Sequence, residues 1–229
     1  MDAPGWLTQR HADVPSGEEW LGEDERRTLA GLWVAQRRVA WRLGRWTVKA
    51  ALGARLGVSP AVVQVLAAAD GAPEAWLDGV RLPVSVSLSH RGERALAVVA
   101  DAPQVAGCDL EAIEPRSVAF VREWLAPAEQ QLIAAVGEPR RALLVNLIWT
   151  AKEAAAKVRR EGLRLDVRRA VVTPAGTDAS DASWRPVRVD WDDGAKHTIG
   201  WWRAEPGWVM AVAAEPDPDE PRRLALPNG

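Results

Sequence analysis

The segment from Arg140 to Glu161 is patterned as one long helix, and it constrains the fold more than any other stretch. At 3.6 residues per turn, Trp149, Glu153 and Lys157 fall on one side, each a turn after the last. A large ring is normally buried, so a Trp on a polar helix face is unusual. The pattern predicts either a solvated helix with a Glu–Lys pair or a helix whose polar face is covered. The predicted buried line, within about 60° on the opposite side, consists of Leu144, Leu147, Ile148, Ala151, Ala155 and Val158.

The composition excludes several kinds of site. A single cysteine, Cys108, rules out an internal disulfide framework and a cysteine-based zinc site. The three histidines are too widely spaced to indicate a histidine cluster, so a bound metal should be a hard cation with oxygen ligands. No apolar run approaches the roughly 20 residues of a membrane span, and the N-terminus lacks a signal-peptide pattern. We therefore expect a cytoplasmic protein with no membrane partner.

The basic residues are unevenly distributed. Arginine is the usual cation and lysine occurs at four positions only, two of which, Lys152 and Lys157, lie within residues 149–157. Because lysine is a compact point charge, this exception indicates a chemical role. Residues 26–69 include eight basic residues and no acidic one. A predicted helical flank of this run is either a solvated surface or an anion site, and the absence of acidic neighbours favours the anion site. The flank consists of Arg38, Arg42, Arg45 and Lys49.

The remaining pattern predicts two halves of similar length, residues 1–104 and 105–214, followed by a proline-rich tail, 215–229, that we expect to be disordered. In the first half we expect a strand near Trp6, two helices within 23–56 that break near Gly31 or Gly44, and a strand or helix at 61–69. Residues 83–90 alternate between apolar and polar, and residues 95–100 return as a buried strand, which predicts a hairpin. In the second half we expect helix at 117–136 with a new turn at Pro127. The strands predicted there are 105–113, 167–173, 184–191, 198–203 and 208–214.

The first strand of the second half carries two acidic residues on one face. A period of two directs both Asp109 and Glu111 to the same side. Adjacent carboxylates repel each other unless a cation lies between them. With a third carboxylate they would form an oxygen site suited to Mg²⁺, although Asp-x-Glu alone also occurs by chance.

Four short motifs occur in a fixed order along the chain. They are Gly71-Ala72-Pro73, Ser87-Leu88-Ser89-His90, Gly107-Cys108-Asp109-Leu110-Glu111 and the segment from Trp149 to Lys157. Each is weak alone, but four in order at compatible spacing are specific. In this combination the chain resembles the 4'-phosphopantetheinyl transferases of the larger, surfactin-synthetase-activating type, from about residue 20 to residue 214.

The resemblance implies an α+β fold, a pseudo-dimer of two similar α/β subdomains with coenzyme A bound in the cleft between them, where it would cover Trp149. It implies that Asp109, Glu111 and Glu153 hold Mg²⁺, or Mn²⁺ in its place. Glu153, Lys157 and His90 would be the catalytic residues, with Glu153 as the base. The implied coenzyme A contacts are Arg38, Arg42, Arg45, Lys49, Gly71, Pro73, Ser89, His90, Lys152 and Lys157.

The implied reaction is attack by a serine of an apo acyl or peptidyl carrier protein on the β-phosphorus of coenzyme A, with release of 3',5'-ADP. The sequence does not distinguish carriers of fatty acid, polyketide or non-ribosomal peptide synthesis, and we expect a monomer. The segment after Glu111 is the predicted docking surface, through Val118, Val121 and Trp124, unless these residues belong to the core.

A competing hypothesis is a non-enzymatic nucleotide- or RNA-binding module that uses the basic helix and the Trp rings. Three convergent carboxylates argue against it, since they would repel a phosphate backbone, and we expect no nucleic-acid partner. Two positions depart from the family pattern: Arg91 replaces a small residue, and Arg160 replaces a glycine.

Overall fold

The elements of the chain are described from a computed structural model that covers residues 3–160, 166–177, 181–192, 194 and 197–226. The helices are α1 (Glu23–Ala30), α2 (Ala35–Leu56), α3 (Val118–Trp124), α4 (Pro127–Ala134) and α5 (Arg140–Arg159). The strands up to the middle of the chain are β1 (Gly5–Arg10), β2 (Val63–Ala67), β3 (Pro73–Leu77), β4 (Val80–Arg81), β5 (Val84–Arg91), β6 (Arg94–Asp101) and β7 (Val105–Ala112). The later strands are β8 (Ala170–Pro174), β9 (Arg185–Trp191), β10 (Thr198–Glu205), β11 (Trp208–Glu215) and β12 (Arg222–Arg223).

The fold is α+β, as expected, and the chain divides into two compact units. Unit 1 contains residues 1–106 and 221–229, and unit 2 contains residues 107–220. None of the helices within the described ranges is long and apolar enough to cross a membrane.

Unit 1 is built on a four-stranded sheet with the order β12-β1-β6-β5, beside a three-stranded sheet with the order β2-β3-β4. The predicted hairpin is confirmed as β5 and β6, paired from Val84 with Asp101 to Arg91 with Arg94. Helix α2 packs on this sheet through residues such as Val48 and Leu52, which are fully buried. Residues 61–69, ambiguous in sequence, contain strand β2.

The predicted helix break lies after Gly31, and Gly44 is inside α2. A Cβ atom at Gly44 would lie 3.2 Å from Leu88 Cδ1 and 3.5 Å from His90 Cδ2. This glycine therefore allows the end of β5 to approach α2 closely. Helix α2 ends at Gly57, whose φ of 69° is the left-handed conformation that glycine adopts readily.

Unit 2 contains a five-stranded sheet with the order β7-β11-β10-β9-β8, and α5 packs against it. The predicted strands and the break at Pro127 between α3 and α4 are confirmed, except that the strand predicted from Val167 begins at Ala170, because Val167–Arg169 form a 3-10 helix. Helix α5 ends at Arg159, and the predicted end at Glu161 and Gly162 lies outside the described residues.

The prediction of a disordered tail is wrong for its described part. Arg222 and Arg223 form β12, which pairs in parallel with β1. The backbone N–H of Leu224 donates to the carbonyl of Trp6 at 2.9 Å, and the Leu224 side chain packs against the unit 1 core. Prolines on both sides of this short strand concealed it in the sequence. Residues 227–229 lie outside the described part.

Candidate active site

The buried face predicted for α5 is confirmed, and the helix is more enclosed than the pattern indicated. All six residues of the predicted apolar line are buried, and so are the polar residues Asn146, Thr150 and Lys152, each 0% exposed. The predicted polar side, with Trp149, Glu153 and Lys157, is only partly buried. The site is therefore a narrow strip on an otherwise packed helix.

Trp149 is covered by two rings from α3. Its ring centroid lies 5.3 Å from that of Phe120 and 5.5 Å from that of Trp124, both edge-on. Unit 2 therefore supplies part of the cover itself, and cover of the remaining exposed part of this ring by coenzyme A stays a prediction. Edge-to-face packing of this kind adds about 0.5–1.5 kcal/mol beyond area burial.

Gly107 brings β7 into close contact with α5. A Cβ atom there would lie 2.1 Å from the Ala154 carbonyl oxygen and 3.0 Å from Lys157 Cβ, so only glycine fits. The contact places the Lys157 ammonium against β7, where it donates to the Cys108 carbonyl at 2.7 Å and to Asp109 Oδ1 at 3.0 Å. One contact therefore joins two of the sequence motifs. It contains Gly107 and Asp109 of the strand motif and Lys157 of the helix motif.

Glu111 is held by a cation that the sequence analysis missed. Arg116 donates from Nη2 to Glu111 Oε2 at 2.8 Å, and its Nε donates to Asn146 Oδ1 at 2.7 Å. The signal that could have identified Asn146 is a lone amide within the apolar run 142–148 of a predicted buried helix face. Arg116 carries no comparable signal, because its contact depends on the path of the chain after β7.

The charges around Glu153 favour its protonated form. Burial raises the pKa of Glu153, the neighbouring Asp109 and Glu111 raise it further, and Lys157 opposes them. For Lys157, burial lowers the pKa, but the attraction of Asp109 and Glu153 contributes to a net rise. Lys157 therefore stays charged, while Glu153 is a carboxyl group suited to accepting a proton.

The donor set is chemically suited to a hard divalent cation, since it consists of three carboxylates whose charges act on one another. Within the described ranges, however, no three His, Cys, Asp or Glu residues are grouped closely enough to hold a metal as they stand. Asp109 and Glu111 are instead engaged by Lys157 and Arg116, respectively.

The predicted basic flank of α2 makes contacts within unit 1. Arg38 donates to the Leu29 carbonyl at 2.7 Å, and Arg42 donates to the Gly17 carbonyl at 2.8 Å. Arg45 donates to the carbonyl of Val65 and lies 3.8 Å from Glu25. The premise that these cations lack acidic neighbours is wrong, because the acids precede the basic run. These contacts make the arginines less available to any anionic ligand, to RNA and to coenzyme A alike.

Lys49 and Lys152 are both fully buried, so the expectation that they contact coenzyme A is wrong for both. Lys49 Nζ lies 2.6 Å from Glu25 Oε2, and Lys152 Nζ lies 2.8 Å from Glu129 Oε2. Burial lowers the pKa of both lysines, and the partner carboxylate opposes it in each case. Their role in this structure is to join elements within each unit.

The other expected contacts of unit 1 lie in its loops and strand ends. Gly71 has a φ of 85° in the turn before β3, and Pro73 is the first residue of that strand. Ser89 is buried near the end of β5, while the adjacent His90 is exposed. Of this group, His90 is the titratable side chain that is exposed to solvent.

The comparisons with known proteins agree with the site in unit 2. Residues 106–213 match the family model of the 4'-phosphopantetheinyl transferase superfamily. This match covers nearly all of unit 2, including Asp109, Glu111, Glu153 and Lys157. The chain is also similar to the 4'-phosphopantetheinyl transferase HetI of Nostoc sp. (strain PCC 7120 / SAG 25.82 / UTEX 2576), at 26% identity over 159 residues. That alignment covers 69% of this chain and 67% of HetI.

Proposed function

We propose that the chain is a 4'-phosphopantetheinyl transferase of the surfactin-synthetase-activating type, which moves the phosphopantetheine group of coenzyme A onto a serine of an apo carrier protein. The observation that carries this proposal is the contact between β7 and α5. It brings Asp109 to Lys157 at 3.0 Å within the region that matches the transferase superfamily. A carboxylate group beside a retained ammonium suits a reaction that must neutralise a diphosphate.

The acidic and basic residues of unit 2 would have different roles in this reaction. Asp109, Glu111 and Glu153 would hold Mg²⁺, which would neutralise charge on the diphosphate of coenzyme A. Glu153, whose pKa is raised mainly by burial, would take the proton of the attacking serine hydroxyl. Lys157, one-third exposed, would stabilise charge on the transferred phosphoryl group and on the leaving 3',5'-ADP.

For the acidic groups of coenzyme A we retain Arg38, Arg42, Arg45 and His90 as candidate contacts, with Ser89 and the turn of Gly71 and Pro73. Arg38 remains the most accessible of the arginines, with its side chain 39% exposed. Lys49 and Lys152 are not retained, since neither ammonium reaches the surface.

The docking surface proposed for the carrier is reduced to the exposed part of α3. Val118 is 59% exposed, whereas Val121 is 7% exposed and Trp124 packs on Trp149. Val118 is therefore the large apolar side chain of this helix that is exposed to a partner.

Mass spectrometry of a panel of apo carrier proteins, incubated with the protein, coenzyme A and Mg²⁺, tests the proposal. We expect at least one carrier to gain one phosphopantetheine group, and the gain to disappear with a chelator. Glu153→Gln should abolish transfer, while Glu23→Gln, at an exposed position of α1, should retain it. An unmodified panel, or transfer that persists in the Glu153 variant, would contradict the assignment.

A further inference from the structure

Three consecutive carbonyl groups before α1 converge on one side chain of α2. Arg42 Nη2 donates to the carbonyls of Pro15 at 2.5 Å, Ser16 at 3.1 Å and Gly17 at 2.8 Å. Because an amino group of a guanidinium carries two hydrogens, these carbonyls share one donor group. The Arg42 side chain is 19% exposed. It therefore holds the segment of residues 15–17 against α2.

The next residue, Glu18, presents its carboxylate to two arginines at once. Its Oε1 lies 3.7 Å from Arg42 Nη1 and 4.0 Å from Arg38 Nη2. Arg38 and Arg42 are one turn apart on α2, so their side chains are neighbours on the same helix face. Both distances exceed the roughly 2.7–2.9 Å of a charge-assisted hydrogen bond. The Glu18 carboxylate, 47% exposed, is therefore held between the two guanidinium groups by charge attraction.

We propose that the point between Arg38 and Arg42 is an anion site, and that Glu18 is its internal occupant, which an acidic group of coenzyme A displaces. The identity of this ligand rests on the proposed function. A phosphate group has three strong acceptor oxygens and can form short bonds to both guanidinium groups, which the Glu18 carboxylate does not. Since Arg38 donates to the Leu29 carbonyl through Nη1, its Nη2 is the atom that exchanges Glu18 for the ligand. Exposed ion pairs are weak, so the displacement is easily reversed.

A purely structural role for Glu18 predicts a different result. If Glu18 only fixes the segment before α1, its replacement loosens the arginines and weakens anion binding. If it occupies the anion site, its replacement strengthens anion binding. The loss of any nearby negative charge also favours an anion, but that effect does not depend on Arg38. The sign of the change and its dependence on Arg38 therefore distinguish the three cases.

The test is a calorimetric titration of the full chain with coenzyme A, at low ionic strength and without a carrier protein. We expect Glu18→Gln to lower the Kd by about 2- to 5-fold, the size of an exposed ion pair. In an Arg38→Gln background the same replacement should have a much smaller effect, because the competitor acts through that cation. The matched control is Glu19→Gln, at an exposed position whose carboxylate lies beside Gly17. It should change the Kd by less than Glu18→Gln does.

An unchanged or higher Kd in Glu18→Gln overturns the proposal. An equal gain in the Arg38→Gln background also overturns it, and if that background does not fold, equal gains in Glu18→Gln and Glu19→Gln do so instead. Carrier modification by the wild type, measured separately, keeps the two proposals apart. A wild type that modifies a carrier while Glu18→Gln binds coenzyme A with unchanged affinity contradicts only the role of Glu18. A wild type that neither binds coenzyme A nor modifies a carrier contradicts the proposed function as well.

Discussion

Arg160 ends α5 in the left-handed conformation, with a φ of 53°. The family pattern places a glycine here, and the structure shows the physical reason: a side chain in this conformation brings its Cβ close to the following carbonyl. The departure at Arg160 is therefore a matter of helix termination as well as of charge.

We expect Arg160→Gly to increase the free energy of unfolding by about 1 kcal/mol, because glycine adopts the left-handed conformation without that strain. For a chain of this size, this corresponds to a rise in Tm of about 2–4 °C. Arg160→Ala is the matched control, since it removes the same side chain but keeps the Cβ. An equal rise in both variants would show that the side chain, rather than the backbone conformation, is responsible.

Glu153 makes the stability of the metal-free protein depend on pH. Because its pKa is raised in the folded state, mainly by burial, folding favours the protonated form, and ionisation costs stability as pH rises above the ordinary Glu value. Glu153→Gln should therefore have a higher Tm than the wild type at pH 8. The difference should vanish near pH 4, where Glu153 is protonated in both states.

Asp109 differs because its carboxylate is paired with Lys157 at 3.0 Å. Asp109→Asn should lower the Tm at pH 8, since it removes the anion that holds the Lys157 ammonium. Thermal unfolding in the presence of a chelator measures both variants. A Tm for Glu153→Gln that lies below the wild type at pH 8 would show that the carboxylate is stabilised by contacts that outweigh its burial.

Local sequence patterns predicted the residues on one helix face, but they did not predict which residues from other segments contact them. The 3.6-residue period identified the strip of Trp149, Glu153 and Lys157 because helix faces are set by neighbours one turn away. It could not assign Phe120 and Trp124 to Trp149, or Arg116 to Glu111, since those contacts depend on how distant segments pack. The sequence therefore assigned all of the cover of Trp149 to a ligand, whereas α3 supplies two of its ring contacts.

At the level of elements, each unit contains the same buried arrangement, which we call the Glu–Lys clasp. In unit 1, Glu25 accepts from Lys49 and from the backbone N–H groups of Gly22 and Val65. In unit 2, Glu129 accepts from the backbone N–H groups of Ala126 and Val172 and lies 2.8 Å from Lys152. Each clasp joins an eight-residue helix, a long helix and a strand.

We expect Lys152→Met to destabilise the protein by about 3–5 kcal/mol, because it leaves the Glu129 carboxylate buried without its cation. Lys49→Met should have a similar effect through Glu25. Lys157→Met should cost less, since that ammonium is one-third exposed. Urea unfolding followed by circular dichroism provides the comparison, and near-equal midpoints for Lys152→Met and the wild type would contradict the clasp.

The sequence could not predict the clasps because their glutamates are far from their lysines. Glu25 precedes the basic run, and it also appeared to be an ordinary acidic residue at a helix start. Likewise, the scarcity of lysine singled out Lys152 and Lys157, but composition cannot separate a buried ion pair such as that of Lys152 from a chemical role. Most of the predicted helices and strands agree with the structure because their periodicities are local, whereas the 3-10 helix Val167–Arg169 and strand β12 are too short to show a period.

For the molecule as a whole, the chain end belongs to unit 1. The backbone of Arg222 donates to the Pro4 carbonyl at 2.9 Å, and Leu224 packs so close to Gly5 that a Cβ there would lie 2.7 Å from Leu224 Cδ2. Arg223 lies over the Trp6 ring at 5.7 Å. Unit 1 is therefore assembled from both ends of the sequence.

Truncation after Glu220 should destabilise the protein by about 2–4 kcal/mol, from the loss of one packed Leu and two backbone hydrogen bonds. Truncation after Leu226 is the control, because it retains β12 and Leu224. Denaturant unfolding of the two truncated proteins measures the difference. Identical midpoints would mean that β12 contributes nothing to unit 1.

Comparison of the two clasps separates the motif of residues 149–157 into a structural part and a part that is specific to α5. Trp46-Thr47-Val48-Lys49 in α2 repeats the Trp149-Thr150-Ala151-Lys152 of α5, and in each the Trp packs edge-on against another ring while the Lys closes a clasp. The next positions differ: Ala50 and Ala54 in α2 correspond to Glu153 and Lys157 in α5. The Trp and the first Lys therefore belong to a structural arrangement that occurs both with the Glu and the second Lys, in α5, and without them, in α2. A motif search that weights the Trp and the first Lys heavily will therefore also retrieve helices such as α2, whereas Glu153 and Lys157 are the positions that the proposed reaction uses.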